Sequence, residues 1–159
     1  MYRRILIPLD GSAAAELGLS EAMRLAFLND AIIRLVCVVG ELPLSLGIGV
    51  GCHSPKELRK LLREFGAEVL RNAARRVRAR CIPVDSALFE AGELPFGERL
   101  AAEAEDWGAD LIVIGSHGRR AVSRIPLNGG AMHLSRAVPM LLVREAAPKI
   151  ERSSLQNRR

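Results

Sequence analysis

From Asp110 the chain reads DLIVIGSHGRRAVSRIPLNGG: an unbroken apolar run, Leu111 to Ile114, opens directly into a loop punctuated by Gly115 and Gly118. A run with no polar alternation has no face to give to water. It therefore predicts a parallel strand covered on both sides, which in turn demands helices above and below the sheet. Glycines straight after such a strand let the backbone turn and come close to a ligand, and a helix start beyond them offers free amides to an anion. The same residues also suit a plain turn, so both a phosphate cradle and a simple connection fit this segment.

The flanking sequence repeats the strand-then-helix alternation. Residues 4–9 (RILIPL) predict a first strand, stopped by Asp10, Gly11 and Ser12. Ala15, Leu19, Ala22, Met23 and Ala26 then recur at helical spacing, with Ser12 as N-cap. Residues 32–39 (IIRLVCVV) form a second, β-branched strand, and a long loop rich in Gly and Pro follows to Pro55. Leu58, Leu62, Phe65, Val69, Ala73 and Val77 make one stripe of a long helix over 55–80. A short third strand is expected over 84–89. Phe96, Leu100, Ala104 and Trp107 mark the next helix, closed by Gly108. Beyond the glycine loop come a short helix over 130–136 and a last strand that opens on Pro139 and ends at Arg144. The alternation predicts an α/β fold: an open five-stranded parallel sheet with helices on both faces, Rossmann-like. We expect one domain over residues 1–148 and a disordered basic tail over 149–159.

Composition narrows the function classes. The chain is 49% hydrophobic but only 4% aromatic, so its core is aliphatic. No apolar run approaches the ~18 residues of a membrane span, and the start lacks a secretory pattern; a soluble, cytoplasmic protein is expected. Cys37, Cys52 and Cys81 are odd in number and lack CxxC spacing, which argues against a disulfide framework or a zinc ribbon. Of the formal charge of +5, Lys149, Arg152, Arg158 and Arg159 against Glu151 supply three. Nine basic residues between Lys56 and Arg80 face only Glu57, Glu64 and Glu68. Phe65 is the sole aromatic there, so this is read as a solvated helix face and not as a nucleic-acid or membrane surface. Cys52 and His53 adjoin without further spaced partners, a poor metal site. No GxxxxGK[ST] loop or hydrolytic triad spacing is present.

ILIPLDGS near the start, AAAELGLSEAMRLA after it and GADLIVIGSHGR near the end together resemble the universal stress protein family, over about residues 2–144. The resemblance implies a five-stranded parallel sheet. In one branch it also implies binding of ATP through a pattern of Gly, two residues, Gly, nine residues, Gly, then Ser or Thr. Gly115 and Gly118 match the first half; Asn128 and Gly129 stand where the pattern asks for Gly and then Ser or Thr. Asn tolerates positive φ better than most residues, but Gly129 has no hydroxyl to donate. Loss of one hydrogen bond to a charged phosphate costs roughly 1.5 to 3 kcal/mol, so weakened binding is expected. Gly129 and Gly130 are placed to restore amides one residue late.

By the same resemblance, Pro8, Asp10 and the backbone at Val38 and Val39 surround the adenine and ribose. Gly115, Ser116, His117, Gly118 and Arg119 then hold the ribose and phosphates, with Arg124 adding positive charge. His117 suits a ligand contact or a mere loop residue equally. The implied cofactor is ATP or AMP, with Mg2+ held through the nucleotide near Asp10; turnover, if any, is no more than a very slow ATPase activity. The family also implies a homodimer through the last strand and a protein partner that the sequence does not name. The altered second half leaves an alternative open: a dimeric partner-binding module that does not take ATP.

Overall fold

The computed structural model describes residues 1–39, 54–90, 95–116 and 138–144. Eight elements run in order: β1 (Arg4–Pro8), α1 (Ala13–Asn29), β2 (Ile32–Val39), α2 (Pro55–Arg78), β3 (Val84–Glu90), α3 (Phe96–Trp107), β4 (Leu111–Ser116) and β5 (Met140–Arg144). All strands pair in parallel in the order β3-β2-β1-β4-β5. The predicted sheet, its five strands and the three helices up to Trp107 are all present. The helix expected over 130–136, the long loop after β2 and the tail lie outside the described residues.

Strand alternation sorts the core into two layers. Ile5, Ile7, Leu9, Ile33, Leu35, Cys37, Leu111 and Val113 turn to α1 and α2. Leu6, Val36, Val38, Ile112 and Ile114 turn to Leu100 and Ala104 of α3. Both sides of β1, β2 and β4 are thus covered, as their uninterrupted apolar character requires. The helix ends follow local chemistry. The Ser12 hydroxyl accepts from the Ala15 amide at 3.2 Å, and Ser54 does the same for Glu57. Gly108 closes α3 in the left-handed region, at φ 70°. The basic side of α2 is solvent-exposed and laced by ion pairs, Arg63 with Glu90 at 2.7 Å and Arg76 with Glu16. Among the described residues, no helix is long and apolar enough to cross a membrane.

Two features hold the N-terminal ends of the strands. The Asp110 carboxylate accepts from the backbone amides of Arg3 (2.7 Å) and Arg4 (3.0 Å), which pins the start of β1 to the start of β4. On the α3 side, Arg34 of β2 bridges Glu103 of α3 and Asp85 of β3. Glu103 is only 8% exposed, the one buried charged residue among those described. The Arg4 guanidinium lies over Trp107 at 4.4 Å, its buried Nε donating no hydrogen bond. Without Glu103 the Arg34 guanidinium keeps only the exposed Asp85 carboxylate, and its buried side loses its partner. Glu103→Ala is therefore expected to lower stability by about 3 kcal/mol in urea unfolding. The paired change Arg34→Met with Glu103→Leu should recover most of that loss.

Candidate functional site

The strand order reverses between β1 and β4: the chain leaves β1 toward β2 on one side, and β4 leads to β5 on the other. The C-terminal ends of the two strands therefore lie at a switch point of the sheet, where open α/β sheets form a crevice and take ligands. Pro8 ends β1 at this point, and the Leu9 amide still donates to the Val36 carbonyl at 2.7 Å. Asp10 follows, half-buried, and its Oδ1 accepts from the Ser12 amide at 2.9 Å. Gly11 between them sits at φ 79°, a conformation an L side chain resists. The turn thus presents a carboxylate whose one oxygen is held by its own backbone.

Val38 and Val39 close β2 beside this turn, at 5% and 3% exposure. Their side chains are spent in the core, so backbone is what they can offer a ligand. Gly115 belongs to the end of β4. A Cβ there would fall inside the van der Waals shell of the Ala14 carbonyl, and a Cβ on Gly18 would come within 2.8 Å of the Gly115 amide. The missing side chain at Gly115 therefore already has a packing reason: α1 lies backbone to backbone on β4. Ser116 is the last residue of β4. The structure brings Pro8, Asp10, Val38, Val39, Gly115 and Ser116 to one edge of the sheet. His117, Gly118, Arg119, Arg124, Asn128, Gly129 and Gly130 lie outside the described residues.

Three residues important here carry no motif signal: Gly18, Phe65 and Gly66. The small-residue spacing Ala14, Ala15, Gly18 was the available sign that α1 comes unusually close to its sheet. Phe65 looked like an ordinary member of the amphipathic stripe of α2, and Gly66 lay outside that stripe. Among the described residues, no group of three or more His, Cys, Asp or Glu could hold a metal ion.

A family model for the universal stress proteins matches residues 1–144. This chain belongs to the universal stress protein family. A curated universal stress protein of Methanocaldococcus jannaschii is 29% identical over 154 residues, 95% of this chain and 86% of the relative. A solved universal stress protein from Burkholderia pseudomallei is 30% identical with a TM-score of 0.68, covering 89% of this chain and 96% of that one. Three more distant structures share the fold: a universal stress protein in complex with cAMP (17% identical, TM-score 0.59), one from Archaeoglobus fulgidus with dAMP (20%, 0.56) and one from Arabidopsis thaliana with AMP bound (12%, 0.60). They cover 91%, 89% and 91% of this chain, and 98%, 97% and 93% of their own.

Cys37, buried in β2 within reach of the Asp10 charge, is a titrating group of this universal stress protein. Burial, and after it the Asp10 charge, pushes the Cys37 thiol up from 9.0 to about 12. The folded state therefore holds this proton more tightly than the unfolded chain does. The stability it contributes is complete below about pH 9 and is lost as pH rises toward 12. In unfolding experiments across that window, Cys37→Ala should show a shallower fall than wild type. Asp10→Asn should change the slope less than Cys37→Ala, because burial is the larger cause.

Proposed function

We propose that this chain is a cytoplasmic regulatory protein that binds an adenine nucleotide, ATP or AMP, in the crevice between β1 and β4. The observation that carries this is the half-buried Asp10 carboxylate in its fixed turn, beside a β2 end that has only backbone to give. A carboxylate suits ribose hydroxyls, and strand-end amides and carbonyls suit the edge of a purine. The nucleotides named for three relatives of the same fold support the class of ligand. In this reading Pro8, Asp10, Val38 and Val39 receive the nucleoside. Gly115, Ser116, His117, Gly118 and Arg119 receive the ribose and phosphates, Arg124, Asn128, Gly129 and Gly130 complete the phosphate side, and Mg2+ arrives with the nucleotide near Asp10. The role is binding: occupancy biases the loops and so the surface shown to a protein partner.

Asn128 and Gly129 favour a second reading, a partner-binding module without ATP. Chromatography of nucleotide released from the denatured protein, together with ATP titration, separates the two. Recovered nucleotide or micromolar binding supports the first reading; a clean protein silent at millimolar ATP supports the second. Asn128→Gly with Gly129→Ser should tighten binding about tenfold, and an unchanged affinity would sink the argument that these two positions weaken the site.

The homodimer is proposed on the edge position of β5. Its outer side meets no strand among the described residues, and Leu142 is 41% exposed. Pairing with a second copy about a two-fold axis would remove this apolar edge. Met140→Lys together with Leu142→Lys should yield a folded monomer by light scattering. A dimer that survives both charges places the interface elsewhere.

A further inference from the structure

α2 meets the candidate site at two consecutive residues. The Phe65 ring packs on Gly11: a Cβ at Gly11 would lie 3.0 and 3.3 Å from Phe65 ring carbons and 3.3 Å from Val69 Cγ2. Gly66 docks on the ends of β2 and β3, where its own Cβ would stand 2.9 Å from Leu88 Cδ1, 3.1 Å from Cys37 Sγ and 3.4 Å from Val39 Cγ2. One step of helix therefore touches both the Asp10 turn and the β2 end, and Arg63 ties the preceding turn to Glu90 at 2.7 Å.

We infer that Phe65 is a positioning residue: it fixes the Asp10–Gly11–Ser12 turn relative to Val38 and Val39, and so sets the affinity of the site for adenine nucleotide without touching the ligand. The inference rests on the nucleotide-binding reading. Gly11 is held at φ 79°, where a glycine has wide conformational choice and needs an outside constraint to keep one geometry. The Ser12 amide bonded to Asp10 Oδ1 accounts for one side of the turn; the Phe65 ring closes the other. The far end of α2 is anchored separately, since Val77 is fully buried and its carbonyl accepts from the Ile82 amide. Truncation at Phe65 thus loosens the turn while leaving that anchor in place.

The test compares full-length wild type with Phe65→Ala, Phe65→Leu and Val77→Ala, the last a core truncation in the same helix away from the site. Amide hydrogen exchange needs no ligand. Phe65→Ala should speed exchange of the Ser12 amide about tenfold beyond any change in Val77→Ala, while the Leu6 and Ile7 amides of β1 track global stability in both. ATP and AMP titration should then show the dissociation constant rising about tenfold in Phe65→Ala, staying near wild type in Val77→Ala, and mostly recovering in Phe65→Leu. Ser12 exchange that moves equally in Phe65→Ala and Val77→Ala overturns the inference. So does faster exchange with unchanged affinity. A wild type that binds no nucleotide removes the proposed function, and with it the affinity half of this inference; the exchange result then still decides whether Phe65 holds the turn.

Discussion

The approach of α1 to β4 at Gly18 and Gly115 is the constraint on which the rest of the site depends. With no Cβ on either residue, the first turns of the helix lie against the strand's backbone, close enough that a Cβ at Gly115 would collide with the Ala14 carbonyl. Atomic packing at this density leaves little freedom for either partner to shift. The helix begins at the Asp10 turn and the strand ends at Ser116. Their contact therefore fixes the two lips of the crevice relative to each other. The glycine that resembles part of a phosphate pattern is first of all a packing residue.

A second layer of order comes from the opposite end of the sheet. Asp110 locks the amides of Arg3 and Arg4, and Arg34, Glu103 and Asp85 join three elements across the α3 face. Burying an ion pair of this kind gains little net stability over an apolar substitute, because desolvation offsets most of the attraction. Its directional bonds do tie α3 to a particular register on β2 and β3. The ends of the strands that bear the candidate site are thus free of this network, and their geometry rests on packing by the helices on both faces.

Much of this was legible in the residues. The strand begun at Leu111 announces itself by apolar continuity through Ile114, α1 and α2 by their stripes, and the start of α1 by its cap Ser12, because these signals act over a few residues. The candidate positions Asp10, Val38 and Val39 came from the resemblance to the family, and Gly115 from its place directly after an apolar strand. The clamp by Phe65 was not. Nothing in the stripe of α2 tells which of its apolar members meets a strand and which meets a turn some fifty residues earlier. Glu103 was hidden for the same reason: in sequence it is one more polar position of an amphipathic helix.

The sequence by itself determined the alternation of elements, their ends and the family to which they belong, since propensity, capping and hydrophobic period are local properties written into neighbouring residues. Strand order, the meeting of Arg34 with Glu103, the backbone contact of Gly18 with Gly115 and the seat of Phe65 on Gly11 were decided only in three dimensions. Each joins residues far apart in the chain, and which distant groups become neighbours depends on how every layer packs at once.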